Sequence, residues 1–435
     1  MLCIQIFSLQ HPNVALLGAS IFKKASVNSA PKFGARALIS RDLNFYVLKV
    51  FMLFFSKENL SSLRVFCTTV ITLSALTLAH ADITVGLAIP LSGLSAMQGI
   101  QAKLGAEAAV SMINTKGGLD GQKVKLLVLD DASDPRAGVL MANRITAEGI
   151  PFVIGHMNSG VSLPASEIYA ESGVLQISPA TTSPLYTERG LWNTFRVVGR
   201  DDQQGIVAGR YIAQTFQGKN VAVVHDHTPY GKGLADQTLK EMKIQGLTPI
   251  LYEGIQANGK DYSSFISRLK ALNVDFLYCG GLEGASGLIL RQLRDQNLKI
   301  HVMGGDILFN SELATAAGPA IEGTLMTFSP DPRENLHAQT VVNDLIAQKI
   351  NPESYTLYTY AAFEILKQAI DITHTRDAKK LASFLHSGHR FQTVLGPLSF
   401  NSKGDVASQT YLVYIWYKKD DGSFGYKPLQ STPKT

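Results

Sequence analysis

From residue 82 onward one rhythm repeats along the chain. A run of consecutive apolar residues is followed by a loop rich in Gly, Ser and Asp, then by a stretch with apolar residues at helical spacing. ITVGLAI at 83–89 is the first run, and Pro90 ends it. An Ala-rich helix is predicted over 102–113, stopped by Gly117-Gly118. Strands are predicted at 124–129, 152–154 and 174–177, with helices at 135–147, introduced by Asp134-Pro135, and at 164–171, beginning with Pro164. The rhythm restarts after Arg200, with strands at 221–224, 249–252, 274–278 and 301–303 and helices from about Gly231, at 262–272 and at 285–295. Strands alternating with helices of this length indicate βαβ units and a parallel sheet. Near-continuous apolar strands indicate sheets covered on both faces. After 323–328 the character changes: helices are predicted near 335–349, 356–373 and 378–386, then strands at 397–400 and 410–416. This segment is too helix-rich for a third wrapping and is expected to pack back onto the first two.

The first 81 residues read differently. VFCTTVITLSALTL at 65–78 is an apolar run of 14 residues, preceded by Lys57 and Arg64 and followed by Ala79-His80-Ala81. That length suits the core of a signal peptide better than a spanning helix, which needs about 20 residues, and small-x-small is a cleavage pattern. We therefore read 52–81 as a signal peptide starting at Met52, Asp82 as the first mature residue, and 1–51 as an upstream extension of the reading frame. The competing reading of 65–81 is a single membrane anchor.

Charge and cysteine sharpen the division. The chain of 435 residues carries a formal charge of +5, but residues 1–81 hold eight Lys and Arg against two acids, so 82–435 carries −1. The basic balance belongs to the leader, and a nucleic-acid partner loses its main support. Of Cys3, Cys67 and Cys279 only the last falls after residue 81, so the mature body holds no intramolecular disulfide and no zinc-like cysteine spacing. Cys279 ends the apolar run VDFLYC and is expected to be a reduced, buried, small hydrophobe.

In open parallel sheets ligands bind beyond the carboxyl ends of the strands. Here those ends are rich in Gly, Ser, Thr and Asp, at 90–93, 130–134, 155–160, 178–182, 224–231, 280–283 and 304–306. Helix N-termini nearby favour an anion such as a carboxylate. The sequence contains no GxGxxG, no GxxxxGK[ST], no GxSxG and no HExxH, so an enzyme is not expected, nor a cofactor. His225-Asp226-His227 could supply metal ligands, but has no third ligand nearby; one packed and one solvated histidine is preferred, and no metal is expected. Asp130-Asp131 reads as a post-strand loop rather than a carboxylate dyad.

An ordered set of segments then matches a known family: ITVGLAIPLSG (83–93), GAEAAVSMINTKGGLDG (105–121), LDDASDP (129–135), FVIGHMNSGVSLPAS (152–166), ISPATTSP (177–184), VVHDHTPYGKGLA (223–235), GLILRQLRDQNL (287–298), TYAAFEIL (359–366) and GPLSFNSKGD (396–405). In this order they resemble the periplasmic substrate-binding proteins of ABC importers, in the leucine/isoleucine/valine-binding family with the type I periplasmic binding fold. The resemblance implies an α/β chain of two Rossmann-like lobes with parallel sheets, a three-crossover hinge and a ligand in the interlobe cleft. Lobe 1 would be 82–200 with 330–408, and lobe 2 would be 201–329 with 409–435. It implies a periplasmic monomer that binds a branched-chain or other apolar L-amino acid and delivers it to an inner-membrane ABC permease. The alternative is an amino acid or amide sensor of the same fold acting on a separate signalling partner. A fused signalling domain would favour that, and the chain ends about 20 residues after its last predicted strand without one.

The resemblance places the ligand α-carboxylate near Ser159, Ala180 and Thr182 and the ammonium against Asp306. Tyr230 matches a cleft tyrosine, and Tyr355 falls where an aromatic lines the side-chain pocket. With the cleft empty, Asp306 is expected to have no buried partner. Three departures stand out. The positions of a disulfide in well-known members read Ser133 and Asn158, a second cleft tyrosine aligns with Leu282, and the acid is Asp306 where Glu is usual. Leu282 would add apolar surface without a hydroxyl. Simpler roles compete: Ser159 and Thr182 as helix caps, Tyr230 as loop surface, Tyr355 as core and Asp306 as a turn residue.

Overall fold

The computed structural model describes residues 82–281 and 284–429. The leader with its start at Met52 and its cleavage after Ala81, as well as Leu282 and residues 430–435, lie outside the described residues.

The first wrapping builds a parallel five-stranded sheet in the order β2-β1-β3-β4-β5. Its strands are β1 (Ile83–Ile89), β2 (Val124–Asp130), β3 (Phe152–Gly155), β4 (Leu175–Ser178) and β5 (Thr194–Arg196). Between them run α1 (Ala96–Thr115), α2 (Pro135–Ala147), α3 (Ser159–Glu171) and a single turn, α4 (Leu185–Glu188). The start of α2 obeys the local signal: Asp134 caps it by accepting from the N–H groups of Arg136 and Ala137, with Pro135 in the first turn.

The second wrapping comprises α5 (Asp201–Thr215), β6 (Val221–His225), α6 (Pro229–Ile244), β7 (Leu251–Gly254), α7 (Ser263–Ala271), β8 (Phe276–Gly280), α8 (Ser286–Asp295), β9 (His301–Gly304), α9 (Ser311–Ala317) and β10 (Leu325–Phe328). The chain then crosses back with α10 (Gln339–Ala347), α11 (Ser354–Thr373), α12 (Ala378–Leu385) and the hairpin β11 (Phe391–Thr393) and β12 (Gly396–Leu398), and ends in β13 (Leu412–Lys418) and β14 (Phe424–Pro428). β13 and β14 add antiparallel to a sheet ordered β14-β13-β10-β9-β8-β6-β7. The chain thus passes between the sheets three times, after β5, after β10 and before β13. The packing-back of the late helices takes a definite form. α11 lies along α1, so close that a Cβ on Gly105 would sit 2.0 Å from the Thr356 carbonyl oxygen.

The helices depart from the pattern reading in places: the short α4 and α9 are absent from it, and α3 and α5 differ in ways that matter for the site. α3 starts at Ser159, so Pro164 lies inside the helix rather than at its first position. α5 is absent from the pattern reading because Gly205 and Gly209 interrupt its apolar stripe. They are there for contact: a Cβ at Gly205 would come within 2.6 Å of Gln237 on α6.

Cys279, on β8, is 1 % exposed, and burial pushes its thiol up to about 12. A thiol reagent is therefore expected to leave the native protein unlabelled over minutes and to react fully after denaturation. Rapid native labelling would put the sulfur at the surface.

Candidate functional site

A cavity of about 160 Å³ opens where the carboxyl ends of both sheets face each other. It is smaller than the roughly 300–1,000 Å³ of drug-sized sites, on the scale of a small metabolite. Ser159, Ala180, Thr182, Tyr230, Asp306 and Tyr355 all line it, and the seventh candidate, Leu282, lies outside the described residues.

One wall is the loop after β4, and its hydrogen bonding explains its character. The Arg196 guanidinium donates to the carbonyls of Thr181 (2.8 Å) and Ser183 (2.9 Å), and the Asp201 N–H takes the carbonyl of Thr182 at 2.9 Å. Three consecutive acceptors are therefore engaged behind the loop. Ser178 Oγ accepts from the N–H groups of Ala180 and Thr181 and fixes the bend. Ser159 is the first residue of α3 rather than its cap, and its Oγ accepts from the Ser183 N–H at 3.3 Å. Thr182 caps nothing either, since α4 follows Pro184. The wall joins two hydroxyls to the N-terminal end of a 13-residue helix, a setting that favours a carboxylate.

The facing wall is acidic. Asp306 opens a single 3-10 turn after β9 and is 7 % exposed. Its carboxylate accepts from the Tyr230 hydroxyl at 2.6 Å and from the Tyr355 hydroxyl at 3.3 Å. This corrects the expectation that it lacks a buried partner. Tyr230 sits in the first turn of α6 rather than on a surface loop, aimed by a helix start that Thr228 caps. Tyr355 is both core and cavity wall, in the first turn of α11 at 6 % exposure. Burial raises the Asp306 carboxyl above its ordinary value, against the lowering effect of the bonds from Tyr230, Gln204 and Tyr355. Asp226 lines the same side, and no lysine or arginine is among the described residues that line the cavity. Leu94, Met157, Val161, Ala257 and Ile307 complete an apolar surround.

Several lining residues escaped the sequence reading. Asp226, which the sequence presents only within a histidine pair, lines the cavity, and its Oδ1 accepts from the N–H and hydroxyl of Thr228. Of that pair, His225 is buried and His227 exposed. Ser133 and Asn158 are linked without sulfur: Ser133 Oγ accepts from the Ser95 N–H at 3.1 Å, and Asn158 Nδ2 donates to Ser95 Oγ at 2.7 Å. Ser95 thus ties together the loops after β1, β2 and β3 at the cavity edge. Asp130 and Asp131 serve different neighbours, the first accepting from Leu91 and Ser92, the second paired with buried His156 at 2.6 Å.

Residues 82–421 match the family model described as periplasmic binding protein. A Leu/Ile/Val-binding protein homolog 1 of Brucella melitensis is 48% identical over 348 residues, covering 80% of this chain and 94% of the relative. The crystal structure of a leucine binding protein from Thermotoga maritima is similar with a TM-score of 0.72 and 25% identity, over 79% of this chain and 97% of that one. An ABC transporter substrate-binding protein from Desulfitobacterium hafniense, solved in complex with Leu, is similar with a TM-score of 0.64 and 27% identity, over 80% of this chain and all of that one (100%).

Proposed function

The chain belongs to the periplasmic binding protein family, and we propose that it captures an aliphatic L-amino acid, a branched-chain one first, and delivers it to an inner-membrane ABC permease. We divide it into lobe 1 (82–200 with 330–408) and lobe 2 (201–329 with 409–435), which close on the ligand as rigid bodies. The reading carries with it export to the periplasm, loss of 52–81 after Ala81, and action as a monomer without enzymatic activity.

The observation that carries it is the opposition of the two cavity walls. A zwitterion needs donors at one end and an acid at the other. The Ser159–Thr182 side offers hydroxyls and N–H groups, and the other side offers Asp306 held by two tyrosines. Each charged end then has a charge-assisted partner, while the apolar surround suits a hydrocarbon side chain. The names of the relatives, leucine and Leu/Ile/Val binding, point the same way.

Thermal shift tests it. L-leucine, L-isoleucine or L-valine at 100 times its Kd is expected to add about 2.7 kcal/mol to the folded state and raise the melting temperature accordingly. A response to neutral amides but to no amino acid would overturn the proposal in favour of a sensor.

A further inference from the structure

Behind the acidic wall lies a second carboxyl that the proposed binding scheme leaves unused. Asp201, the first residue of α5, is fully buried. Both of its carboxyl oxygens lack a well-formed hydrogen bond, although the Thr182 hydroxyl is within its electrostatic reach. One turn on, Gln204 is also fully buried, and its amide is directed at Asp306. Asp201 lies near enough to Asp306 to feel its charge. A Cβ on neighbouring Gly305 would lie 2.7 Å from Gln204 Oε1 and 2.6 Å from the Tyr230 hydroxyl that holds Asp306. Asp201 is therefore joined to one wall through its N–H on the Thr182 carbonyl, and to the other through the α5 face that meets Gly305.

We propose that Asp201 is a further determinant of the cation site, a carboxylic acid that keeps its proton beside Asp306, so that the pair shows the ligand a single negative charge. The proposal rests on the amino acid reading of the cleft. Two carboxylates in one water-poor pocket cannot both ionise cheaply, and the proton settles on the member with fewer donors. Asp306 has two tyrosine hydroxyls; Asp201 has none of comparable quality. Burial, then the charge of Asp306, hold the Asp201 carboxyl well above its usual range. The other ionisable groups facing the pair do not offset this. Arg196, from β5, is ion-paired with Asp405, and Asp202 adds negative charge. Among the described residues the others include Tyr355, which donates to Asp306, and Tyr230, Tyr278, Tyr358 and Tyr411, whose hydroxyls burial pushes up and so keeps neutral. One ammonium group neutralises such a site, whereas a doubly ionised pair would favour a second positive charge.

The test compares the ligand-free full chain with Asp201→Asn in thermal melts from pH 5 to 9. A carboxyl whose folded pKa is raised contributes stability below its unfolded value and loses it as pH rises toward the folded value. Asparagine removes that loss. The melting temperature of D201N should therefore exceed that of the wild type by a margin that widens by about 2–4 °C per pH unit as pH rises from 5, up to the pH at which the folded carboxyl ionises. A margin independent of pH overturns the proposal. So does a D201N chain that does not fold, since asparagine mimics a neutral acid. Carbon-13 NMR of carboxyl-labelled aspartate in the wild type provides a second reading: one aspartate resonance at the shift of a protonated acid is expected at pH 7, and its absence refutes the pair. Titration of the wild type with L-leucine, run alongside, isolates the underlying reading. A widening margin with no leucine response keeps the neutral acid and overturns its assignment to an amino acid site.

Discussion

Asp306→Asn is expected to weaken amino acid binding by about 30-fold or more, measured as the ratio of dissociation constants in titration calorimetry. The cause is the loss of one partner in a charge-assisted pair inside a closed, poorly hydrated cavity, typically about 2–5 kcal/mol, where about 1.4 kcal/mol is tenfold. Among the described residues no other carboxyl is equally placed. Asp226 lines the cavity but has Oδ1 committed to Thr228, and Asp201 lies behind the wall. The affinity also has a definite pH dependence. Burial raises the Asp306 carboxyl in the empty protein from its ordinary 3.8, and a bound ammonium favours its ionised form. Wild-type affinity should therefore be full near neutral pH, where the ligand is a zwitterion, and begin to fall, on acidification, at a pH above 3.8. The asparagine variant should not share that fall. Unchanged affinity in the variant would return Asp306 to the role of a turn residue.

The same substitution separates binding from folding. Asparagine can still accept a hydrogen bond from Tyr230, and it removes a carboxyl whose charged form burial disfavours. The ligand-free melting temperature should hold or rise, while the shift produced by an amino acid should shrink. A fall in ligand-free stability would mean that the two tyrosine bonds matter more than the cost of burying the acid.

Much of this was legible because it is local. Alternating apolar runs and helical stretches marked the parallel strands of both sheets, and Asp134-Pro135 marked the start of α2 within a residue of its place. The rule that sites gather at strand ends, together with the family resemblance, nominated six residues that line one cavity. What escaped depends on contacts distant in sequence. Gly205 in α5 reads as a helix breaker until α6 is laid against it. Ser95 reads as loop until its bonds to Ser133 and Asn158, 38 and 63 residues away, are seen. The tyrosine partners of Asp306 lie 76 and 49 residues off. No periodicity within α5 signals that Asp201 comes to lie behind the acidic wall.

The largest effect on stability is expected from Asp405→Ala, which should cost about 3–5 kcal/mol in denaturant unfolding. Arg196 is fully buried, and its Nε is paired with Asp405 Oδ1 at 2.8 Å. Asp405 also accepts from the Thr187 hydroxyl at 2.7 Å and from Arg200 Nη1 at 2.9 Å. Removing the acid leaves the guanidinium with carbonyl and hydroxyl partners but no counter-charge, and an uncompensated buried charge costs about that much. The loss should depend on pH in the opposite sense to that of Asp201. Burial alone would raise the Asp405 carboxyl, but Arg196, Thr187 and Arg200 outweigh it and hold it below its ordinary 3.8. Its contribution is therefore present above 3.8 and disappears as pH falls through the lower folded value, so wild type and variant should converge in acid. Binding should suffer as well. The guanidinium that loses its counter-ion is the one that holds the Thr181 and Ser183 carbonyls away from the cavity, and a loop free to turn those acceptors inward would repel a carboxylate. Affinity for an amino acid is expected to fall about tenfold even at temperatures where the variant is fully folded, the equivalent of about 1.4 kcal/mol. A loss of stability below about 1 kcal/mol would show that Arg200 or solvent replaces the missing charge; a full loss of stability with unchanged affinity would show that the donor wall does not need Arg196 to hold its shape.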